Sequence, residues 1–363
     1  MKNNKVMKPT KDVAIIGYGA YIPKYRIANS EIARIWQNGA LFEKNGKYPV
    51  PIQQKAVAAR DEDSVTMAIE AARRAVRRAG INPKEIRAIL LGTESNPYAV
   101  KTAGVTIAAA IGGPTDILAA TYEFACKAGT EAIQTSIGLI GSGMAKYALA
   151  IGADTAQGRP KDALEYTAAS GAVAYLLGEY VKGDSIAKIE ATYSYAKDVP
   201  DFWRRGLSPY PNHFQRFTGD PAYFSLILGA AKGLMESLNY TSKDFDYVIF
   251  HQPNYKFPVK VAKILGFSDE QIKPGLLSHL IGNTYSGSSL MGLAATLDVA
   301  EPGDHILIVS YGSGSGSDAI SMFVDDGIKT KRELAPKVMD MINNGITTVD
   351  YGLYARFRGK ILK

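Results

Sequence analysis

Apolar positions along this chain follow two alternating periods, short continuous runs and helical stripes. Val13-Ala14-Ile15-Ile16 reads as a buried strand. After the acidic cluster Asp61-Glu62-Asp63, which suits a helix N-terminus, Val65, Ile69, Ala72 and Val76 line one helical face. Arg73, Arg74, Arg77 and Arg78 occupy the opposite face, and Gly80 suits the C-cap. The run Ala88-Ile89-Leu90-Leu91-Gly92-Thr93 then predicts a strand ending at Glu94. From Cys126 to Gly143 nearly every residue is small or apolar, which predicts a helix buried on all sides, followed by a strand over Ala148–Gly152.

The same order returns further on. Ile227, Ala230, Leu234 and Leu238 mark a helix, 240–244 a turn, and Tyr247-Val248-Ile249-Phe250 a strand ending at His251. Ser286–Val299 is a second helix of small and apolar residues, and His305–Val309 the strand after it. Helices are also expected near 101–111 and 257–265, closing at Gly112 and Gly266. The echo has one offset. His251 lies 157 residues after Glu94, and Asn283 lies 157 residues after Cys126. The pattern predicts two duplicated α/β halves, with sheets over two central helices and strand ends and helix starts converging on one pocket. The expected division is 1–190, carrying Glu94 and Cys126, then 191–325, carrying His251 and Asn283, then a basic extension over 326–363.

Composition narrows the class. The chain has 363 residues, one cysteine and no apolar run long enough to span a bilayer. A single cysteine excludes an internal disulfide framework and fits a reducing cytoplasm. The four histidines match no metal-ligand spacing, so no metal is expected. Net charge is +7, and residues 327–363 hold eight Lys/Arg against three acids. That surplus reads as a solvated tail or as a docking surface for a protein or a phosphate-bearing ligand; no nucleic-acid reader motif accompanies it. Residues 42–60 read as a polar, proline-interrupted loop able to cover a pocket. Gly17-Tyr18-Gly19 suggests a dinucleotide fingerprint, but Ile22 fills the third glycine position and Pro23 opposes a helix there.

Chemistry concentrates at the repeated positions. A lone cysteine is by default an inert hydrophobe. Cys126, however, stands where the first buried helix begins, so free amides and the helix dipole are expected to lower its pKa and hold a thiolate. A carboxylate at the end of a buried strand, as at Glu94, is costly unless paired or used. His251 opens His-Gln-Pro-Asn, whose Pro253 and Asn254 suit a turn that fixes the ring. The glycine-rich turn Gly312–Gly316 reads as a flexible turn, or as backbone able to donate an oxyanion amide from Ser313.

Together Glu94 in Gly-Thr-Glu-Ser, Cys126 in Glu-Phe-Ala-Cys-Lys-Ala-Gly-Thr, His251 in Phe-His-Gln-Pro-Asn and the run Gly282-Asn-Thr-Tyr-Ser-Gly-Ser-Ser-Leu resemble archaeal hydroxymethylglutaryl-CoA synthase, of the thiolase superfamily. The likeness extends into the tail Asp350-Tyr-Gly-Leu-Tyr-Ala-Arg-Phe-Arg-Gly. It implies a thiolase-like fold in a layered αβαβα arrangement. It also implies an acyltransferase that condenses acetyl-CoA with acetoacetyl-CoA and water in the mevalonate route to isoprenoids, with no cofactor beyond the coenzyme A thioesters. By position, Cys126 would carry the acetyl group, Glu94 would remove a methyl proton and His251 would handle the acetoacetyl carbonyl. Thr167, Arg216, Thr218, Lys256, Lys260, Asn283 and Ser313 would contact the CoA or acyl portions. The resemblance further implies a homodimer packed near Ile117–Tyr122, and a complex with acetoacetyl-CoA thiolase and a small adaptor protein. Competing readings are an initiating-type 3-ketoacyl synthase, which lacks a carboxylate where Glu94 stands, and a non-catalytic acyl-CoA-binding scaffold. A biosynthetic thiolase would need a second cysteine.

Overall fold

The computed structural model describes residues 6–37, 52–214 and 218–361. Its strands are β1 (Val13–Tyr21), β2 (Tyr25–Ala28), β3 (Gln54–Val57), β4 (Ile86–Gly92), β5 (Leu118–Tyr122), β6 (Tyr147–Asp154), β7 (Gly171–Glu179), β8 (Ala187–Ala196), β9 (Phe202–Trp203), β10 (Asn212–His213), β11 (Tyr247–Phe250), β12 (His305–Val309), β13 (Gly316–Val324) and β14 (Thr347–Thr348). Nine form one sheet in the order β11-β12-β13-β8-β1-β7-β6-β4-β5. Read from its middle, β1-β7-β6-β4 and β8-β13-β12-β11 are the same arrangement running outward in opposite directions. In each arm the outer pair is parallel and the remaining pairs are antiparallel. The arms join at a short ladder, Ala14 against Lys188 and Ile15 against Ala187. Position 190 therefore falls inside β8.

The offset of 157 holds for the outer strands and central helices but not throughout. β6 and β7 are joined by residues 155–170, whereas β12 and β13 are joined by 310–315 alone. The first half thus carries the longer connection, and it contains the helix Ala163–Thr167.

Local sequence explains the layers. The helix Ser64–Ala79 starts at a capping box of Asp63 and Thr66, and Gly80 closes it at φ +68°. It lies so close to β1 that a methyl on Gly17 or Gly19 would come within 2.3 Å of Ala75 O or Ala71 O. Helix packing accounts for those two glycines. Of the central helices, Ser288–Leu297 is buried at every position. Ala128–Gly141 is not: Glu131, Gln134 and Thr135 are half-buried and Gly138 is exposed. Those four share one helical stripe that the many small residues around it obscured.

The segment after Val324 is no detached tail. β14 pairs with β2, and Val349 and Tyr354 join Ile27, Ile32, Val57 and Tyr166 in one apolar cluster. Several of its basic groups point inward. Lys331 pairs with Asp184 at 2.9 Å, Arg332 donates to Leu297 O at 3.2 Å, and Arg358 donates to Gly158 O at 2.8 Å. These bonds compete with any role as a free docking arm. Part of the loop expected over 42–60 is also regular, since β3 pairs with β2; residues 42–51 lie outside the described residues. Among the described residues no helix is long and apolar enough to cross a membrane.

The start of the second central helix presses on the first half where Gly152 of β6 faces Ser286 O, which a methyl would approach to 2.6 Å. Gly152→Ala is expected to destabilise the chain by about 1–3 kcal/mol, read from the denaturant midpoint at unchanged slope. An unchanged midpoint would refute the close approach.

Candidate active site

Glu94 sits just beyond β4, where Asp154 at the end of β6 organises the backbone. Asp154 Oδ1 accepts from the Glu94 amide at 2.8 Å, Thr93 Oγ1 at 2.9 Å and Ser95 Oγ at 2.6 Å. Its other oxygen accepts from the Ser286 amide at 3.0 Å and Ser286 Oγ at 2.6 Å, so one carboxylate joins the two halves. The Glu94 carbonyl is held as well, by Gln157 Nε2 at 3.1 Å and Arg204 Nη2 at 2.7 Å. Burial, and then the nearby charge of Asp154, push the Glu94 carboxyl up to about 8, against the opposing effects of Cys126 and Arg204.

Cys126 follows β5 across a backbone elbow. Ala125 adopts φ +45°, and Gly282, the residue before Asn283, adopts φ +81°. Both halves therefore enter their central helices through backbone at positive φ, and each includes a non-glycine residue there, Ala125 in the first and Tyr285, at φ +54°, in the second. The thiol Sγ donates to Glu94 Oε1 at 3.0 Å. Burial, with the adjoining Glu94, drives the thiol pKa well above its ordinary value. The expected thiolate is thus corrected. The helix begins two residues later, at Ala128, and what its dipole offers a thiolate is outweighed by desolvation and by a neighbouring carboxylate.

His251 follows β11. Its amide donates to Val309 O at 2.9 Å and its carbonyl accepts from Tyr223 Oη at 2.6 Å. The ring centroid lies 5.8 Å from that of Tyr311. Nδ1 is enclosed without a hydrogen-bond partner among the described residues, and burial lowers the ring to about 3, so it stays neutral. Asn283 is stitched to the long first-half connection: its amide donates to Thr167 O at 2.7 Å and its carbonyl accepts from Ala169 N at 2.8 Å. Its side chain accepts from the Tyr285 amide at 2.9 Å, and Tyr285 packs with Cys126 and Ala168.

A cleft of about 540 Å³ opens beside Glu94, bounded by Ala125, Ser313 and the hairpin residues Phe202, Trp203 and Arg204. Asp201 anchors that hairpin by accepting from Tyr311 Oη at 3.0 Å and the Gly314 amide at 2.7 Å. The fold therefore brings Cys126 against Glu94, sets Ser313 on the cleft beside Glu94 and ties Asn283 to Thr167 through the backbone, while the His251 ring lies beside Tyr311. Lys256 and Lys260 are exposed on the helix Lys256–Leu265, where Lys260 Nζ stands 4.5 Å from the Phe224 ring centroid. The Thr218 hydroxyl is buried without a partner among the described residues, and Arg216 lies outside them. Sequence reasoning passed over Asp154, Gln157, Asp201, Arg204 and Tyr311. The repeat held one signal for two of these, since Tyr311 lies 157 residues after Asp154.

Residues 48–181 match the model of the thiolase N-terminal domain, and residues 235–322 that of the 3-oxoacyl-[acyl-carrier-protein] synthase III C-terminal domain. The chain is similar to hydroxymethylglutaryl-CoA synthase of Thermococcus sibiricus, at 58% identity over 99% of both chains. The enzyme of that name from Methanopyrus kandleri is 55% identical over 98% of this chain and 99% of its own. Among solved structures, MvaS in complex with 3-hydroxy-3-methylglutaryl coenzyme A superposes with a TM-score of 0.83 at 22% identity, covering 98% of this chain and 93% of the other. That likeness places the fold as thiolase-like, and the sequence identities settle the kinship: the chain belongs to the hydroxymethylglutaryl-CoA synthase family.

Proposed function

We propose that this protein condenses acetyl-CoA with acetoacetyl-CoA and water, giving 3-hydroxy-3-methylglutaryl-CoA and free CoA. The observation that carries the reading is the buried contact of 3.0 Å between the Cys126 thiol and the Glu94 carboxylate. A nucleophile and a base side by side in a dry pocket suit a reaction that first makes a thioester and then deprotonates its methyl group. Cys126 takes the acetyl group, and its proton ends on the departing CoA sulfur. Glu94 removes a proton from the acetyl methyl, and the carbanion attacks the ketone carbon of acetoacetyl-CoA. The neutral His251 ring polarises that carbonyl by hydrogen bonding, and the alkoxide formed takes up the proton that Glu94 removed, which gives the hydroxyl and restores the carboxylate. Water then cleaves the Cys126 thioester, releasing the new carboxylate and restoring the thiol.

The Ser313 amide, which donates to no other group among the described residues, and the Cys126 amide are the oxyanion donors in this reading. Thr167, Arg216, Thr218, Lys256, Lys260 and Asn283 bind the CoA and acyl portions, the two lysines serving phosphate from one helical face. Glu94 disfavours the initiating 3-ketoacyl synthase alternative, since decarboxylation needs no base at that place.

A homodimer formed through β5 is part of the same reading. That strand is the sheet's outer edge, and Leu118 on it is 51% exposed. We further infer a cytoplasmic complex with an acetoacetyl-CoA thiolase and a small adaptor. The inward bonds of Lys331, Arg332 and Arg358 argue for docking elsewhere than on the C-terminal segment.

With labelled acetyl-CoA, the unmodified chain should carry label on Cys126 and Cys126→Ala should carry none. Glu94→Ala should still take the label yet lose condensation by about 10²-fold or more; equal loss of both steps would refute the division of labour. Because Glu94 must be ionised to act and its carboxyl is held up to about 8, the condensation rate should climb as pH rises towards about 8 and level off above it. A rate that stays flat across neutral pH would contradict Glu94 as the base. Leu118→Glu should shift the sedimentation coefficient to that of a monomer; an unaltered dimer would place the interface elsewhere.

A further inference from the structure

Immediately after Cys126, Lys127 turns into the body of the protein. Its side chain is 3% exposed and its ammonium lies 3.0 Å from Asp318 Oδ2. The same ammonium pairs with Glu131 and stands 4.0 Å from the Phe124 ring centroid. Asp318, on β13, is wholly enclosed and also accepts from Ser194 Oγ at 2.6 Å and Thr130 Oγ1 at 2.7 Å. Lys127 and Thr130 belong to the first half, Asp318 and Ser194 to the second. A buried ion pair thus crosses between the halves one residue from the sulfur.

Such a pair gains little stability over apolar side chains of the same size, because removing two charges from water offsets their attraction. What it fixes is registry. The elbow it holds rests against the β12–β13 connection: a methyl on Gly312 would come within 2.5 Å of Phe124 O and 2.8 Å of Lys127 Cβ. Gly312 precedes Ser313, so the turn that carries the Ser313 amide packs directly against the elbow that carries the Cys126 amide.

We propose that the Lys127–Asp318 pair is a positioning device that sets the separation of the Cys126 and Ser313 amides, and with it the geometry in which an oxyanion is held. The inference rests on the reaction proposed above and deepens it. Neither side chain touches the reacting atoms; both act through the elbow. Every step passing through a tetrahedral centre at the Cys126 thioester depends on that spacing, whereas CoA binding does not.

The test compares the unmodified chain with Lys127→Met/Asp318→Leu, which replaces the pair by apolar groups. Measured are the thermal midpoint, the single-turnover rate of labelling at Cys126 by labelled acetyl-CoA, and the KM for acetyl-CoA. The expected result is a folded protein whose labelling rate falls about 10²-fold at unchanged KM. A folded double variant that labels at the original rate overturns the proposal, as does a loss that appears in KM alone. If the double variant does not fold, Gly312→Ala decides: it should keep the fold and lose labelling rate, and full activity there overturns the proposal equally. An unmodified chain that takes no label on Cys126 would overturn the proposed reaction first and this inference with it. A labelled unmodified chain beside a fully active variant overturns this inference alone.

Discussion

Asp154 is the constraint on which the site depends. One enclosed carboxylate gathers five donors from the Thr93–Ser95 turn and from Ser286, at the entrance to the second central helix. Burying a charge this far from water is expensive unless its lone pairs are filled. Here they are filled by segments nearly two hundred residues apart. The bonds that satisfy Asp154 also decide where Glu94 begins, and Glu94 in turn faces the sulfur. Assembly of the halves and placement of the Glu94 carboxyl are the same event.

The electrostatics follow from dryness. Glu94 is pushed up, the Cys126 thiol is pushed up and the His251 ring is pushed down, each with burial as the leading cause. All three therefore favour their uncharged forms before substrate arrives. A pocket of neutral groups costs less to desolvate than one of fixed charges. It also keeps the sulfur as a thiol bonded to the Glu94 carboxyl group rather than exposed as a free thiolate open to oxidation.

Much of this was legible in the residues, because a duplicated fold repeats its punctuation. The offset of 157 located both strand ends, both central helices and the residues Glu94, Cys126, His251 and Asn283, since the apolar runs around them keep their period. The length of the β6–β7 connection and the woven C-terminal segment were not legible. The C-terminal segment depends on pairings such as β14 with β2, where a ladder of two residue pairs leaves no period to detect. The protonated thiol escaped for another reason. A helix start is local and visible in sequence, whereas desolvation by Tyr285 and Ala168 comes from distant segments. Asp154 carries no signal of its own in the sequence, because the donors that give it meaning come from elsewhere in the chain.

The unequal connections have one more consequence. Duplication supplies two equivalent frames, each with a strand end facing a helix entered through backbone at positive φ. The second frame closes its loop in residues 310–315, leaving those few positions to complete a neighbour's machinery. The first extends over 155–170 and supplies Gln157, Thr167 and the backbone that grips Asn283. Symmetry between the frames thereby becomes asymmetry of labour: the chain builds one cleft lined from both halves, and neither half alone encloses it.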